Sequence, residues 1–325
     1  MSETRLSRRG LLAGSGVALA GATILSPAAL AAGEALPKLK GKQRFVWVAG
    51  NIGDPFYHDG LAGTKYFSQV FGVPVTFVGP VTNDIAGMTK TFQATVADPR
   101  TTAIFSYFYG GFDAVKSLYE QAAQKGIPIA NGASDWGGPR VGWSGVRDED
   151  APTVAAQYIN KALNGSGKVG HIGNTGVNIV KEEKIFRNLF ATQYKGITYV
   201  GNATHNGSAQ DALKQFQAFK TAHPDLSVVW FGDGLGPSIA FPLAAAAGST
   251  KLILRGFGAN GIKALQQGKI LALLDRNPFE EEFYGMQLLY WYKAGRRVPD
   301  TVVVPTFIVD KTNVAAFAKN PYFHT

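Results

Sequence analysis

The chain has 325 residues, of which 46% are hydrophobic and 17% are charged, a balance typical of a globular protein with about two domains. It contains no cysteine, which excludes disulfide bonds and cysteine-ligated metal sites. The formal net charge is +9, but the basic residues are scattered along the chain, so we expect a solvated surface and no nucleic-acid partner.

The N-terminal segment is typical of an export signal. Arg8 and Arg9 precede an apolar run rich in small residues that closes on residues 29–31, a sequence suited to signal cleavage. The segment around Ser7 resembles a twin-arginine signal. An uncleaved N-terminal anchor is the alternative, although the run is short for a membrane span. We therefore expect residues 1–31 to be a twin-arginine-type signal peptide and the mature protein to be periplasmic.

A first array of alternating strands and helices follows a short polar segment. Its apolar runs predict strands, and its amphipathic runs predict helices, one of them capped by Asn83 or Asp84. The predicted strands cover 44–50, 73–80, 102–109 and 127–133, and the predicted helices cover 58–72, 84–98 and 112–126. Strands and helices that alternate at this spacing indicate a parallel, doubly wound sheet.

A second array of similar build starts near Asp148. The predicted strands cover 168–174, 197–202, 226–233, 251–258 and 270–278, and the predicted helices cover 151–165, 180–194, 209–223 and 242–247. A long helix over 280–295 and a closing segment over 301–310 complete the chain. The fold class is therefore α/β, with two lobes and a cleft between them.

Polar and aromatic residues cluster where the predicted strands end. In open α/β sheets, ligands bind beyond the carboxyl ends of the strands. The clusters are 54–59, Tyr107 with Tyr109, 131–136, 174–178, Asp233 and 275–277. We interpret the loop that opens with Asp54 as facing a ligand.

Signs of catalysis are few. The five histidines are widely spaced, with no pair at metal-binding helical spacing, and no G-x-S-x-G nucleophile motif occurs. Residues 280–282 are three glutamates at the start of a predicted helix, where acidic side chains complement the helix dipole. We predict no enzyme activity, no metal and no cofactor.

One motif supports a different class of function. Gly256-x-Gly258-x-x-Gly261 follows an apolar strand, and Asp275 ends the next strand, as in a dinucleotide-binding fingerprint. The helix between these strands is barely two turns long, and the unit is shorter than the usual ~30 residues. An exported NAD(P)-dependent oxidoreductase is therefore the less favoured alternative.

Taken in order, several motifs resemble those of the ribose/galactose class of periplasmic solute-binding proteins that serve ABC importers. The resemblance spans about residues 44–312. Its marks are Asp54-Pro55-Phe56-Tyr57, "GIPIAN", "GKVGHIGN", Gly256-Phe257, Arg276-Asn277-Pro278 and "VVVPTFIVDKTNV".

This resemblance implies the type I periplasmic binding protein fold, in which a three-strand hinge joins the lobes and allows them to close around a ligand. Lobe one is then expected over 44–146 and 278–300, and lobe two over 147–277 and 301–325. The helix that begins near residue 280 is expected to pack on lobe one.

The resemblance also suggests ligand contacts. Phe56 and Tyr57 either stack on a sugar or pack at the helix start. Lys181 is either a ligand donor or a solvated residue, and Arg276 is either a ligand clamp or a hinge ion-pair partner. The expected ligand-binding residues are Asp54, Phe56, Tyr57, Tyr107, Asp135, Trp136, Asn174, Lys181, Asp233 and Arg276.

The sequence departs from the family at two ligand-binding aspartates, which align with Ala133 and Gly258. Asp135 is a candidate replacement for the first. Together with Arg276 and Lys181, these changes favour a more cationic cleft and a ligand richer in acceptors, such as a sugar acid.

The resemblance implies a monomeric substrate-binding protein of an ABC importer, with a sugar, polyol or sugar acid as its ligand. Its partners are then an ABC permease and an ATPase. The alternative within the same fold is a receptor that presents its ligand, for example a furanosyl signal, to a chemoreceptor.

Overall fold

The structure is a computed structural model that describes residues 24–25, 36–53, 55–82, 84–108, 111–133, 135 and 137–318. The expected signal peptide lies outside the described residues, apart from Ile24 and Leu25. Four other residues named above, Asp54, Asn83, Tyr109 and Trp136, also lie outside them.

The first sheet has six strands, all parallel, in the order β11-β5-β4-β3-β1-β2. The strands are β1 Phe45–Val48, β2 Val75–Val78, β3 Ala103–Ser106, β4 Ile129–Gly132, β5 Gly142–Gly145 and β11 Thr301–Val303.

Helices cover both faces of this sheet, which explains why β1 is apolar throughout. The helices are α1 Pro55–Phe71, α2 Ile85–Ala97, α3 Lys116–Gln124, preceded by a 3-10 turn at Phe112–Ala114, and α9 Pro278–Lys293. Phe45 and Trp47 point to α1 and α9, whereas Val46 and Val48 point to α2 and α3. Side chains alternate along a strand, so a strand buried on both faces is apolar at every position.

The second sheet has the order β12-β10-β9-β8-β6-β7, with β12 antiparallel to β10 and the other pairs parallel. The strands are β6 Gly167–Asn174, β7 Ile197–His205, β8 Val228–Phe231, β9 Lys251–Arg255, β10 Ala272–Asp275 and β12 Phe307–Val309. The helices around it are α4 Asp150–Ala162, α5 Val177–Thr192, α6 Ala209–Ala222, α7 Ala240–Ala247, α8 Gly258–Gln266 and α10 Val314–Phe317, with a 3-10 turn at Gly236–Ile239 before α7.

The fold is therefore two α/β lobes with parallel sheets, as the sequence predicts. The chain crosses between the sheets three times: after β5, after β10 and after β11. The crossing after β10 brings α9 back to the first lobe, where it packs against α1 and the ends of β3, β4 and β5.

Two local features differ from the sequence-based element assignment. The segment "GWSG" forms β5, which its composition did not indicate because it has two glycines and no β-branched residue. The closing segment over 301–310 divides into β11 and β12, which lie in different sheets. Pro305 stands between them, where a residue without an N–H interrupts strand pairing. The lobe boundary expected at residue 300 thus precedes β11, which pairs with β5 of the first sheet.

Candidate functional site

A cavity of about 250 Å³ lies between the carboxyl ends of the two sheets. Phe56 and Asp59, at the start of α1, line it from the first lobe. The loops after β8 and β9 line it from the second lobe with Gly234, Pro237, Ser238, Gly256, Phe257, Gly258, Ala259 and Asn260. This is the position at which parallel α/β sheets place their ligands.

The two aromatic residues at the start of α1 have different environments. The Phe56 ring lines the cavity and lies 5.3 Å from the Tyr57 ring and 5.9 Å from the Tyr107 ring, measured between centroids. Tyr57 is buried against Trp47, at 5.9 Å, and against Tyr107, at 5.7 Å. Phe56 therefore forms a wall of the cavity, and Tyr57 supports it from the core.

Arg276 lies on the crossing after β10 and is buried there. Its guanidinium carbon stands 5.9 Å from the centroid of the Phe56 ring, and one of its amino groups lies 3.8 Å from a carboxylate oxygen of Glu281. Burial lowers the pKa of Arg276, but the negative charges of Glu281, Glu182 and Asp148, together with Tyr107, outweigh it, so the pKa lies above its ordinary value. The Arg276 side chain is thus a buried cation that lies beside both the Glu281 carboxylate and the Phe56 ring.

Three acidic side chains that the sequence does not mark as ligand contacts lie near Arg276: Glu281 and Glu282 interact with its guanidinium, and Asp275 precedes it in the chain. Asp275, Glu281 and Glu282 are fully or almost fully buried. The Tyr107 hydroxyl interacts with Glu281 and Glu282, and the backbone of Arg276 and Asn277 interacts with Asp275. Burial raises the pKa of each carboxyl group, and in Glu281 it does so despite the positive charge of Arg276.

The hydroxyl of Tyr107, at the end of β3, belongs to the same group. It is buried and interacts with the Glu281 and Glu282 carboxyl groups. Burial raises its pKa well above the ordinary value, and the charges of Glu281 and Glu282 raise it further.

The polar residues of the second lobe are paired within their own loops. The Asp233 carboxylate accepts hydrogen bonds from the backbone N–H groups of Asn174, at 2.8 Å, and Leu235, at 3.1 Å. It also lies 2.8 Å from Nε2 of His205. Nδ1 of His205 accepts a hydrogen bond from the N–H of Gly207, which orients the ring beside Asp233. Asp233 therefore ties the strand-end loops together.

Asn174 and the buried Arg255–Glu182 ion pair also hold loops of the second lobe in place. The Asn174 side chain accepts the N–H of Gly176 at 2.8 Å. Arg255 forms a two-pronged pair with Glu182, at 2.6 and 3.0 Å, and also donates to the carbonyl of Gly232. Burial lowers the pKa of Arg255, and Glu182 opposes this shift. The strand-end loops of the second lobe are therefore held together by hydrogen bonds and ion pairs.

Two of the predicted contacts lie on the surface. Lys181 is exposed and stands 3.5 Å from a carboxylate oxygen of Asp148. Asp135 is bound by Arg140 through two hydrogen bonds, and the same guanidinium holds Asp300 at 2.7 Å.

The predicted residues thus fall into four groups. Phe56, Tyr57, Tyr107 and Arg276 meet at the cavity or directly behind it, whereas Asn174 and Asp233 brace the opposite lobe. Lys181 and Asp135 are held by surface ion pairs, and Asp54 and Trp136 lie outside the described residues.

The cationic cleft stays a prediction, and among the described residues that line the cavity Asp59 is the charged one. The side chains that meet beside Arg276 are acidic, and Lys181 is exposed rather than buried among them. The sequence of 278–291 does indicate buried glutamates, because the residues that flank the three glutamates are mostly apolar on all faces of the helix. A helix with that pattern is buried all round, so its glutamates are buried as well.

The glycine-rich segment after β9 forms part of the cavity wall. Gly256 and Gly258 have φ angles of 89° and 63°, which favour glycine, and a Cβ on Gly261 would approach the Pro237 side chain to 2.9 Å. These glycines allow the loop to turn into α8 against Pro237. In the described part of the chain, no group of three or more His, Cys, Asp or Glu residues is arranged to hold a metal, and no helix is long and apolar enough to cross a membrane.

Residues 45–297 match a family described as periplasmic binding protein domain. No curated protein matches the sequence.

Solved structures share the fold. GanP, a glucose-galactose binding protein from Geobacillus stearothermophilus, is 19% identical with a TM-score of 0.75, and the match covers 84% of this chain and 99% of that one. A carbohydrate transporter solute binding protein from Agrobacterium radiobacter, in complex with D-arabinose, is 19% identical with a TM-score of 0.77, covering 88% and 100%. The XylFII-LytSN complex contains a chain that is 17% identical with a TM-score of 0.74, covering 84% and 99%.

Proposed function

This chain belongs to the periplasmic binding protein domain family, and from that premise we propose that it is the substrate-binding protein of an ABC importer. It captures a small polar ligand, a sugar or a related polyhydroxy compound, between its two lobes. In this role it binds and releases its ligand without chemical change.

The observation that carries this proposal is the cavity between the strand ends, which both lobes line. A ligand that contacts both walls favours the closed arrangement of the lobes, since it gains contacts there that the open arrangement lacks. The glucose-galactose and D-arabinose proteins of the same fold support a sugar as the ligand.

The residues around the cavity take distinct roles in this proposal. The flat Phe56 ring stacks on the apolar face of a sugar, and Tyr57 keeps that ring in position. Arg276 donates a hydrogen bond from its Nε–H group toward the ligand. Asp233 and Asn174 stabilise the strand-end loops of the second lobe, which lie on the opposite side of the cavity.

We place the protein in the periplasm, exported by the twin-arginine-type signal, with an ABC permease and an ATPase as its partners. A ligand-presenting receptor is the second candidate, because the XylFII chain of the same fold was solved in complex with LytSN. Neighbouring genes for a permease and an ATPase favour import, whereas a neighbouring sensor gene favours the receptor.

A thermal-shift screen of the purified protein tests the proposal. The panel contains pentoses, hexoses, polyols, furanosyl signals and NAD(P). A ligand at 100 times its Kd stabilises the native state by about 2.7 kcal/mol, which raises the Tm by several degrees. A shift with a sugar or polyol supports the proposal, whereas a shift with NAD(P) alone supports the oxidoreductase.

A further inference from the structure

Gln287 is a fully buried amide side chain in the second half of α9. The other residues of 283–291 are apolar or aromatic, so this amide lies in an apolar environment. A buried amide is costly unless its N–H and C=O groups form hydrogen bonds. The partners of Gln287 therefore show what the surrounding surface is built to hold.

These partners come mainly from the N-terminal segment of the chain. The Gln287 Oε1 atom accepts a hydrogen bond from the backbone N–H of Leu25 at 2.9 Å and one from the Trp291 indole at 3.2 Å. Its Nε2 group donates to the backbone carbonyl of Leu25 at 2.7 Å. Among the described residues, two of the three hydrogen bonds of Gln287 thus go to one residue, 262 positions earlier in the chain.

This pairing reproduces the contact between two adjacent β-strands. In an antiparallel ladder, a hydrogen-bonded residue exchanges both its N–H and its C=O with its neighbour, and here the Gln287 amide supplies both partners. Such a pairing binds the main chain and places no demand on the identity of the side chain. It suits an extended segment that lies across α9.

The side chains of the segment add apolar contacts. Ile24 and Leu25 are half-buried and pack against the core of the first lobe that contains Tyr290 and Trp291. Further along the chain, the Tyr290 hydroxyl donates a hydrogen bond to the carbonyl of Pro37. The chain therefore contacts α9 at two places before it enters β1.

The composition of the N-terminal segment explains why such a contact has a consequence. Arg8 and Arg9 precede an apolar run that extends to about residue 31. Basic residues beside an apolar run favour binding to an anionic lipid surface, and an apolar segment left exposed on a folded protein associates with other apolar surfaces. A segment that is held on α9 is not available for either.

We propose that α9 carries a docking site for the chain's own N-terminal apolar segment, with Gln287 pairing to Leu25, and that docking withholds this segment from membrane surfaces. The site forms only after α9 has packed on the first lobe, so it ties the segment to the folded state. The expected cleavage after residue 31 removes the occupant. The inference goes beyond the proposed function and requires no bound ligand.

Hydrogen exchange of the full chain tests the docking. The Leu25 amide hydrogen is expected to exchange at least about tenfold more slowly than in the unfolded chain, because it is bonded to Gln287. In Gln287→Leu, which keeps an apolar side chain in an apolar environment and removes the amide, the same hydrogen is expected to exchange at least about tenfold faster than in the native protein. Mass spectrometry of overlapping peptides that differ at residue 25 measures both rates.

Flotation with vesicles of phosphatidylcholine and phosphatidylglycerol tests the withholding. We expect Gln287→Leu to float at least about threefold more than the native full chain. Leu25→Pro is the second variant, since it removes the N–H that Gln287 accepts and leaves the first lobe unaltered. It is expected to float more than the native protein as well, and it keeps the test valid if Gln287→Leu does not fold.

Gln121→Leu is the matched control, because Gln121 is an exposed glutamine of α3 in the same lobe. It is expected to leave both the exchange of Leu25 and the flotation as in the native protein. If the Leu25 amide of the native protein exchanges as in the unfolded chain, the docking is wrong. If the native protein and the variants at residues 25 and 287 float equally, docking does not withhold the segment and the inference is also wrong.

Discussion

Three adjacent glutamates of one helix illustrate how much a residue depends on its surroundings. Glu280 is 8% exposed, whereas Glu281 and Glu282 are fully buried, although all three occupy the first turns of α9. Burial raises the pKa of Glu280 to about 7 from the model-peptide value of 4.5, and the side chain of Asn277 opposes this shift. Burial also raises the pKa of each of its two neighbours, Glu281 and Glu282.

Glu280→Gln is therefore expected to change the pH dependence of stability. A carboxyl group whose pKa is raised on folding favours the native state below its unfolded pKa of 4.5, and this contribution is lost as the pH rises through about 7. At pH 8 the variant is expected to be more stable than the native protein by up to about 3 kcal/mol, with no such gain near pH 4. Urea unfolding at both pH values measures the difference. If the variant and the native protein differ by the same free energy of unfolding at pH 4 and pH 8, the pKa of Glu280 is not raised on folding.

Phe56→Leu is the corresponding prediction for the cavity wall. The variant removes a flat ring that lines the cavity and keeps an apolar side chain. We expect the affinity for the sugar found in the screen to fall about fivefold, because stacking contributes roughly 1 kcal/mol beyond the buried area. Titration calorimetry measures this loss.

Phe112→Leu is the control for the cavity wall, since Phe112 is a half-buried phenylalanine packed against the core formed by α2 and α3. It is expected to reduce stability but not affinity. Equal losses of affinity in both variants show that the ring acts only through folding.

At the scale of elements, α9 packs against α1 and the first sheet and also carries the buried Glu281 and Glu282. Fourteen consecutive residues of this helix, from Pro278 to Trp291, are buried. Its close approach to α1 depends on two glycines, since a Cβ on Gly60 meets the Glu282 carboxyl group and a Cβ on Gly63 meets the carbonyl oxygen of Phe279 at 2.2 Å. Any displacement of α9 from α1 therefore moves Glu281 and Glu282.

Gly63→Ala is expected to destabilise the protein by about 1–3 kcal/mol, because the added methyl group meets backbone that has no room to move. Gly87→Ala is the matched control, since its Cβ first meets the side chain of the exposed Asp84, which is free to rotate away. That change is expected to be neutral or to stabilise by up to about 1 kcal/mol, through the better helix propensity of alanine. Chemical denaturation compares the two, and a similar effect of both is incompatible with the close α1–α9 contact.

At the scale of the whole molecule, the described core divides between the lobes. Two clusters of buried apolar residues lie around the first sheet and two around the second. Three crossings of the chain connect these cores. Lobes joined in this way are expected to unfold in separable transitions, and a ligand between them couples the transitions.

Leu243→Ala tests this independence. Leu243 of α7 is fully buried in the second lobe, so its truncation is expected to cost about 2–5 kcal/mol. In scanning calorimetry of the unliganded protein, only one of two transitions is expected to move to lower temperature. A single transition that shifts as a whole contradicts the independence of the lobes.

The sequence determined the architecture and one wall of the cavity. Apolar runs such as "FVWV" at 45–48 predicted strands buried on both faces, and the alternation with helices predicted two parallel sheets. Phe56 was identified because it follows the end of the first strand, a position that faces the cleft in any such sheet. These inferences need only local periodicity and the direction of parallel strands.

The tertiary structure alone decided the charge of the site and the partners of its polar residues. Asp135, Lys181 and Asp233 all follow the ends of predicted strands, but their partners Arg140, Asp148 and His205 become apparent only in the folded chain. Glu281 and Glu282 were interpreted as dipole-complementing residues because their position at a helix start is a local feature. Their burial arises from α1 and the ends of β3 to β5, which lie more than 130 residues earlier in the chain. The cost of a charge depends on the groups that surround it in space, and the chain assembles those groups only when it folds.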